Sequence, residues 1–162
     1  MGLEMKFVTT LSLAWYLVAA SHASAFEVNG FRTGMELDQV RKNAEKYGEL
    51  HAIDKNTYLG SNPLGSYSTF TFCKAKLVSL QQDQPTSFKQ LALLIAEFNK
   101  SYGQPFSIKA GPRPDPIGDA HEIRISWRAR SEYASIYYKD SSQGASLSTS
   151  YQATNSCFKV PR

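Results

Sequence analysis

The residues best placed to do chemistry are arginines and tyrosines spaced for a sheet. Ile123, Ile125 and Trp127 alternate with Arg124, Ser126 and Arg128, the two-residue period of a strand with one apolar and one polar face. With the apolar set turned inward, Arg124 and Arg128 project from the other face, and Tyr133 and Tyr137 on the next strand fall beside them. Tyrosine and arginine together suit binding: they offer large contact area at little ordering cost, hydrogen bonds, and a planar cation that stacks on a ring. Arg124, Arg128, Tyr133 and Tyr137 are therefore the candidate binding residues. A solvated face of an antiparallel sheet with no partner would carry the same pattern.

Catalytic and metal-binding patterns are missing. Beyond His22 in the leader, the histidines are His51 and His121, without H-x-H or H-E-x-x-H spacing, so no metal site is expected. His121 and Glu122 are successive on a strand and point to opposite faces. Neither Gly65-Ser66-Tyr67 nor Gly144-Ala145-Ser146 completes a nucleophile elbow, and no glycine-rich phosphate cradle is present. No catalytic residue and no cofactor are assigned. Dispersed carboxylates can still meet in space as acid and base. A small periplasmic hydrolase or envelope-modifying enzyme with dispersed catalytic residues is thus the alternative to a binding protein.

The first 25 residues read as an address. Lys6 precedes an apolar run from Phe7 to Ala20, and Ala23-Ser24-Ala25 supplies an A-x-A cleavage signal. The run is shorter than the roughly 20 residues that a membrane-spanning helix needs. Glu4 is out of keeping with a positive flank, which a start at Met5 would restore. The expectation is a signal peptide over 1–25 cleaved after Ala25, then a single α+β domain over 26–162, periplasmic or secreted, with no transmembrane segment in the mature chain. The net charge is +4, modest and scattered, which argues against a nucleic-acid partner. The two cysteines, Cys73 and Cys157, are expected to pair in an oxidising compartment. Closing so long a loop contributes on the order of 4–5 kcal/mol in the chain-entropy model.

Two helices and five strands must position these residues. Leu37, Val40, Ala44 and Tyr47 recur at helical spacing before Gly48. A longer helix opens at Pro85-Thr86-Ser87, carries Phe88, Leu91, Ala92, Ile95, Phe98 and Tyr102 on one face, and stops at Gly103. Thr69–Phe72 and Leu77–Leu80 form a hairpin; strands follow at Ile123–Trp127, Tyr133–Tyr138 and Leu147–Tyr151. Gly111 to Pro116, with prolines at alternate positions, reads as a stiff loop. The expected architecture is α+β: two helices packed on one face of an antiparallel sheet of about five strands. A shift of 55 residues lays Tyr47-Gly48 on Tyr102-Gly103, Val40 on Ile95 and Phe72 on Trp127, which suggests a tandem helix-strand-strand repeat.

Gly34-Met35 ahead of a helix, the Tyr102-Gly103-Gln104-Pro105 stretch and the strands rich in Trp and Tyr resemble small exported bacterial α+β domains. The arrangement is similar to beta-lactamase-inhibitor-protein-like domains and to the small lipoproteins of outer-membrane assembly, although no cysteine is present to carry a lipid. The resemblance implies helices on one sheet face and a protein partner held on the other face or its loops. It points to an exported, non-enzymatic protein-binding or inhibitory module whose partner is another envelope protein. A structural or stress-related envelope protein without a specific ligand fits the same sequence.

Overall fold

The structure, a computed structural model, describes residues 25–115, 118–129 and 131–158. The expected leader up to Ser24 lies outside the described residues. The chain opens with a small hairpin, β1 (Glu27–Val28) and β2 (Phe31–Arg32). Its turn residues Asn29 and Gly30 have φ of 53° and 82°, a left-handed pair that asparagine and glycine adopt more readily than other residues. The hairpin delivers Phe31 fully into the core, its ring 4.8 Å from that of Phe70.

α1 (Leu37–Ala44) buries Val40 and Ala44. At its start the Glu36 N–H, which has no partner within the helix, donates to Gln39 Oε1 at 2.9 Å. Four strands follow: β3 (His51–Ala52), β4 (Thr57–Ser61), β5 (Tyr67–Cys73) and β6 (Lys76–Gln84). The chain then repeats the plan with α2 (Phe88–Tyr102) and β7 (Ser107–Asp115), β8 (Gly118–Ala129), β9 (Glu132–Ser141) and β10 (Gly144–Ala153). All eight of these strands form one antiparallel sheet in the order β3-β4-β5-β6-β10-β9-β8-β7. Each helix is therefore followed by a four-stranded meander, and the two meanders join through β6 and β10.

This overturns the expected sheet of about five strands. Strand accounts for 52% and helix for 18% of the described residues, in an eight-stranded sheet plus the separate β1–β2 pair. The strands missed are β3, β4 and β7, which lie at or next to the edges and have little alternation of apolar and polar residues. β7 incorporates Gly111 to Asp115, read above as loop. Prolines two residues apart suit an edge strand, where every second N–H faces away from the sheet, so their missing donors leave the ladder to β8 intact. They also blunt the edge against pairing with another chain. The helix-strand-strand repeat is overturned as well: Phe72 lies on the third strand of its half and Trp127 on the second of the other. A constant offset therefore does not match the strands.

The sheet face turned toward the helices carries one connected core around Phe70, Leu80, Trp127, Ile136 and Leu147. α2 starts where Ser87 Oγ accepts from the Gln90 N–H at 3.0 Å, and it ends at Gly103 with φ 79°. It buries Leu91, Leu94 and Phe98. Phe88, at 83% exposure, and Leu93, at 55%, fall outside this stripe. The Phe98 ring lies 5.1 Å from Trp127 and 5.5 Å from Tyr151. Trp127 Nε1 donates to Asn99 Oδ1 at 3.0 Å and to the Gly103 carbonyl at 3.1 Å, which fixes the end of α2 on β8. Among the described residues no helix is long and apolar enough to cross a membrane.

Cys73 and Cys157 form a disulfide with Cα atoms 5.8 Å apart across 84 residues of sequence. It ties the β5–β6 turn to the segment after β10. Replacing both cysteines by serine is expected to lower unfolding free energy by roughly 4 kcal/mol, read from the denaturant midpoint.

Glu132 is buried, and Tyr102 Oη donates to its Oε1 at 2.7 Å. Burial pushes the Glu132 carboxyl above its usual range, against the pull of that hydrogen bond. Burial, then Glu132 itself, pushes the Tyr102 phenol up too. A carboxyl that holds its proton more tightly when folded contributes stability at low pH, and that stability is lost as pH rises from the ordinary 4.5 through the folded value. Glu132→Gln should therefore flatten this decline in a series of denaturant melts across that window. An unchanged slope would show that Glu132 ionises freely in the fold.

Candidate binding face

The face opposite the helices is polar from one meander to the other. The register sets Ser126, Ser135, Ser150 and Gln81 side by side across β8, β9, β10 and β6. On one side of this set runs the row Arg124, Tyr137, Ser148 and Asp83, and on the other the row Arg128, Tyr133, Gln152 and Ser79. Alternation along each strand produces this division, because the same strands send Trp127, Ile136 and Leu147 into the core. Short serine side chains at the middle positions leave room between the longer ones. The result is a concavity of about 350 Å³. Ser135, Ser148 and Ser150 line it together with Gln81 and Gln152, Tyr133 and Tyr137, and Arg113 and Arg124.

The expected binding residues Arg124, Tyr133 and Tyr137 are brought together here. Arg124 and Tyr137 are cross-strand partners, and the guanidinium carbon sits 5.1 Å from the ring centroid. Arg128 is placed apart from the concavity's lining. It pairs across the strands with Tyr133, but its guanidinium lies over Phe106, 4.9 Å from the ring centroid. Tyr133 meets the same Phe106 edge-on at 5.6 Å, while its hydroxyl donates to Ser126 Oγ at 3.0 Å.

Six lining positions lay outside the expected set: Arg113, Gln81, Gln152, Ser135, Ser148 and Ser150. Arg113 was hidden by its neighbouring prolines, which suggested a loop. Gln81 and Gln152 carry no signal of their own; Gln152 arrives opposite Tyr133 through the β9–β10 pairing and Gln81 opposite Ser150 through β6–β10. The serines did have a signal, since Ser146, Ser148 and Ser150 alternate with Leu147, Thr149 and Tyr151.

A small polar network buttresses the arginine side of the concavity. Tyr137 Oη donates to Glu122 Oε2 at 2.7 Å, and Arg113 Nη1 lies 3.5 Å from the same oxygen. The hydrogen bond from Tyr137, then the charge of Arg113, holds the Glu122 carboxyl below its usual range. The same bond pushes the Tyr137 phenol up. Glu122 thereby braces Arg113 and Tyr137 without lining the concavity.

Neither His51 nor His121 lines this concavity. A second one, of about 480 Å³ beside the end of α1, is lined by Arg41, Glu45, Gly48, Glu49 and Leu50, again without histidine. No group of three or more His, Cys, Asp or Glu side chains that could hold a metal ion occurs among the described residues. Comparison of the chain with protein-family models, with curated proteins and with solved structures finds no match.

The arrangement can donate hydrogen bonds and receive negative charge. Two guanidinia, three serine hydroxyls and two tyrosines converge on one hollow, whose lining includes no carboxylate and no imidazole to move a proton. Tyr137→Phe removes the first cause of the depressed Glu122 carboxyl. Carbon-detected NMR titration should then find Glu122 titrating at higher pH than in the parent, with Trp127 and the rest of the core unmoved.

Proposed function

We propose that this chain is an exported, non-enzymatic protein-binding or inhibitory module of the bacterial envelope that grips its partner with the polar face of the sheet. The observation that carries the reading is the convergence of Arg124, Tyr133 and Tyr137 with Arg113 on one concavity, on the side away from both helices. Tyr and Arg are the side chains that most often dominate the energy of protein interfaces. A rigid sheet holds them without the ordering cost that a mobile loop would add. The disulfide suits an oxidising compartment outside the cytosol.

The competing enzyme reading is better served by a carboxylate or imidazole in the hollow, and the lining offers tyrosines and arginines instead. The resemblance to domains that hold a protein on the face opposite their helices points toward the binding reading, as analogy.

A photo-crosslinking amino acid at Ser148 is expected to capture one discrete protein in the native host, recurring in independent preparations and identified by mass spectrometry. The same probe at Leu93, exposed on α2, should not capture it. Equal capture from both positions, or none from Ser148, would overturn the assignment of this face.

A further inference from the structure

We infer that the concavity receives a carboxylate, carried by an aspartate or glutamate of the partner protein and held by Arg113 and Arg124. The inference rests on the protein-binding reading and adds the chemistry of the contact. The charges of the site are unbalanced in one direction. Two guanidinia line the hollow and no carboxylate does. Glu122 offsets the nearer of them, Arg113, at 3.5 Å, but that carboxylate is already engaged by the Tyr137 hydroxyl at 2.7 Å.

Arg124 feels the Glu122 charge only at longer range: among the described residues no ion pair and no side-chain hydrogen bond involves its guanidinium, which lies over the Tyr137 ring. A guanidinium held over a ring in this way keeps N–H groups for an acceptor, and arginine can take a carboxylate in two parallel bonds. The hydroxyls of Ser135, Ser148 and Ser150 stand beside it as further donors.

Charge complementarity therefore selects an acidic occupant. A neutral saccharide fits less well, because the ring face it would stack on is covered at Tyr137 by Arg124. The surroundings favour an acid presented on a protein surface over a free one. Beyond the hollow, on the side away from the exposed Asp83, which pairs with Ser148, the polar face continues as short neutral side chains, Thr69 and Thr71 on β5 and Ser79 on β6, a low surface against which the rest of an acidic segment can lie.

The test uses the exported protein, labelled with nitrogen-15 and titrated with poly-L-glutamate, then separately with glutarate, poly-L-lysine and oligomers of N-acetylglucosamine. Poly-L-glutamate is expected to move the Ser135, Ser148 and Tyr137 amides and the Arg124 Nε–H, with affinity that falls as salt is added. Arg124→Gln and Arg113→Gln, each checked for retained amide dispersion, should weaken it by about tenfold or more, the loss of a charge-assisted hydrogen bond. Lys89→Gln on α2 should not.

Binding that both arginine variants leave intact, or that Lys89→Gln weakens equally, would overturn the inference. So would shifts produced by the sugar oligomers instead, by glutarate at matching affinity, or by none of the probes. The two readings fail separately. Capture at Ser148 that persists in Arg124→Gln, with poly-L-glutamate unbound, keeps the face and removes the carboxylate. Absence of capture at Ser148 removes the face itself.

Discussion

Pairing of β6 with β10, from Leu147 opposite Gln84 to Gln152 opposite Ser79, is the constraint on which the remainder of the molecule rests. Each meander alone is four strands and a helix with half a core. Joined, they make a continuous sheet whose inner face is one cluster. The seam is marked by polar side chains in unusual places. Gln82 and Thr149, opposite one another and each only 1% exposed, sit on the core side. Gln82 accepts from Asn29 Nδ2 at 3.2 Å and donates to Ser68 Oγ at 3.4 Å, while Thr149 Oγ1 accepts from Gln84 Nε2 at 3.1 Å. A slipped register would strand these groups without partners, at a cost of roughly 1–3 kcal/mol each, and a one-residue slip would also turn the core outward. The polar seam thus contributes specificity where an apolar one would have contributed only adhesion.

The candidate site lies beside the same seam. Gln81 comes from β6, Ser148, Ser150 and Gln152 from β10, and the arginines and tyrosines from β7, β8 and β9. Joining the meanders adds Gln81 to a hollow whose other lining residues all belong to the second meander. Its stiffness comes from the other side, where Trp127, Phe98 and Tyr151 lock α2 beneath the strands that hold Arg124 and Tyr133. The side chains that bind and the side chains that pack are alternate residues of the same strands, so the positions of Arg124 and Arg128 are set by the anchoring of Trp127 between them.

What could be read in the sequence was whatever acts locally. The alternation through Trp127 assigned β8 and both of its faces; Ser87 and Gly103 bounded α2; two cysteines allowed only one pairing. β3, β4 and β7 escaped because edge and near-edge strands need little apolar alternation, and because Pro112 and Pro114 look like loop residues unless an edge strand, where alternate N–H groups need no partner, is considered. The grouping of Arg124, Tyr133 and Tyr137 followed from neighbouring strands. Arg113 did not, since its flanking prolines concealed β7, and Gln81 did not, since it comes from β6, far from β8 and β9 in the chain, and no local pattern specifies strand order. Arg128 went elsewhere because the Phe106 ring, just outside β7, lies within its reach.

The topology also governs how the chain reaches this state. The most C-terminal of the described strands is not at an edge but in the middle of the sheet, so the contact that unites the halves is among the longest in sequence separation. Non-local pairing of this kind is slow to find, because the entropy of closing the intervening chain is lost before the pairing returns anything. Until β10 docks, β6 waits as an unpaired border, and the first meander holds a core open on one side. Assembly is in that sense a single late event: the sheet stays in two pieces until the chain has been delivered through Ala153.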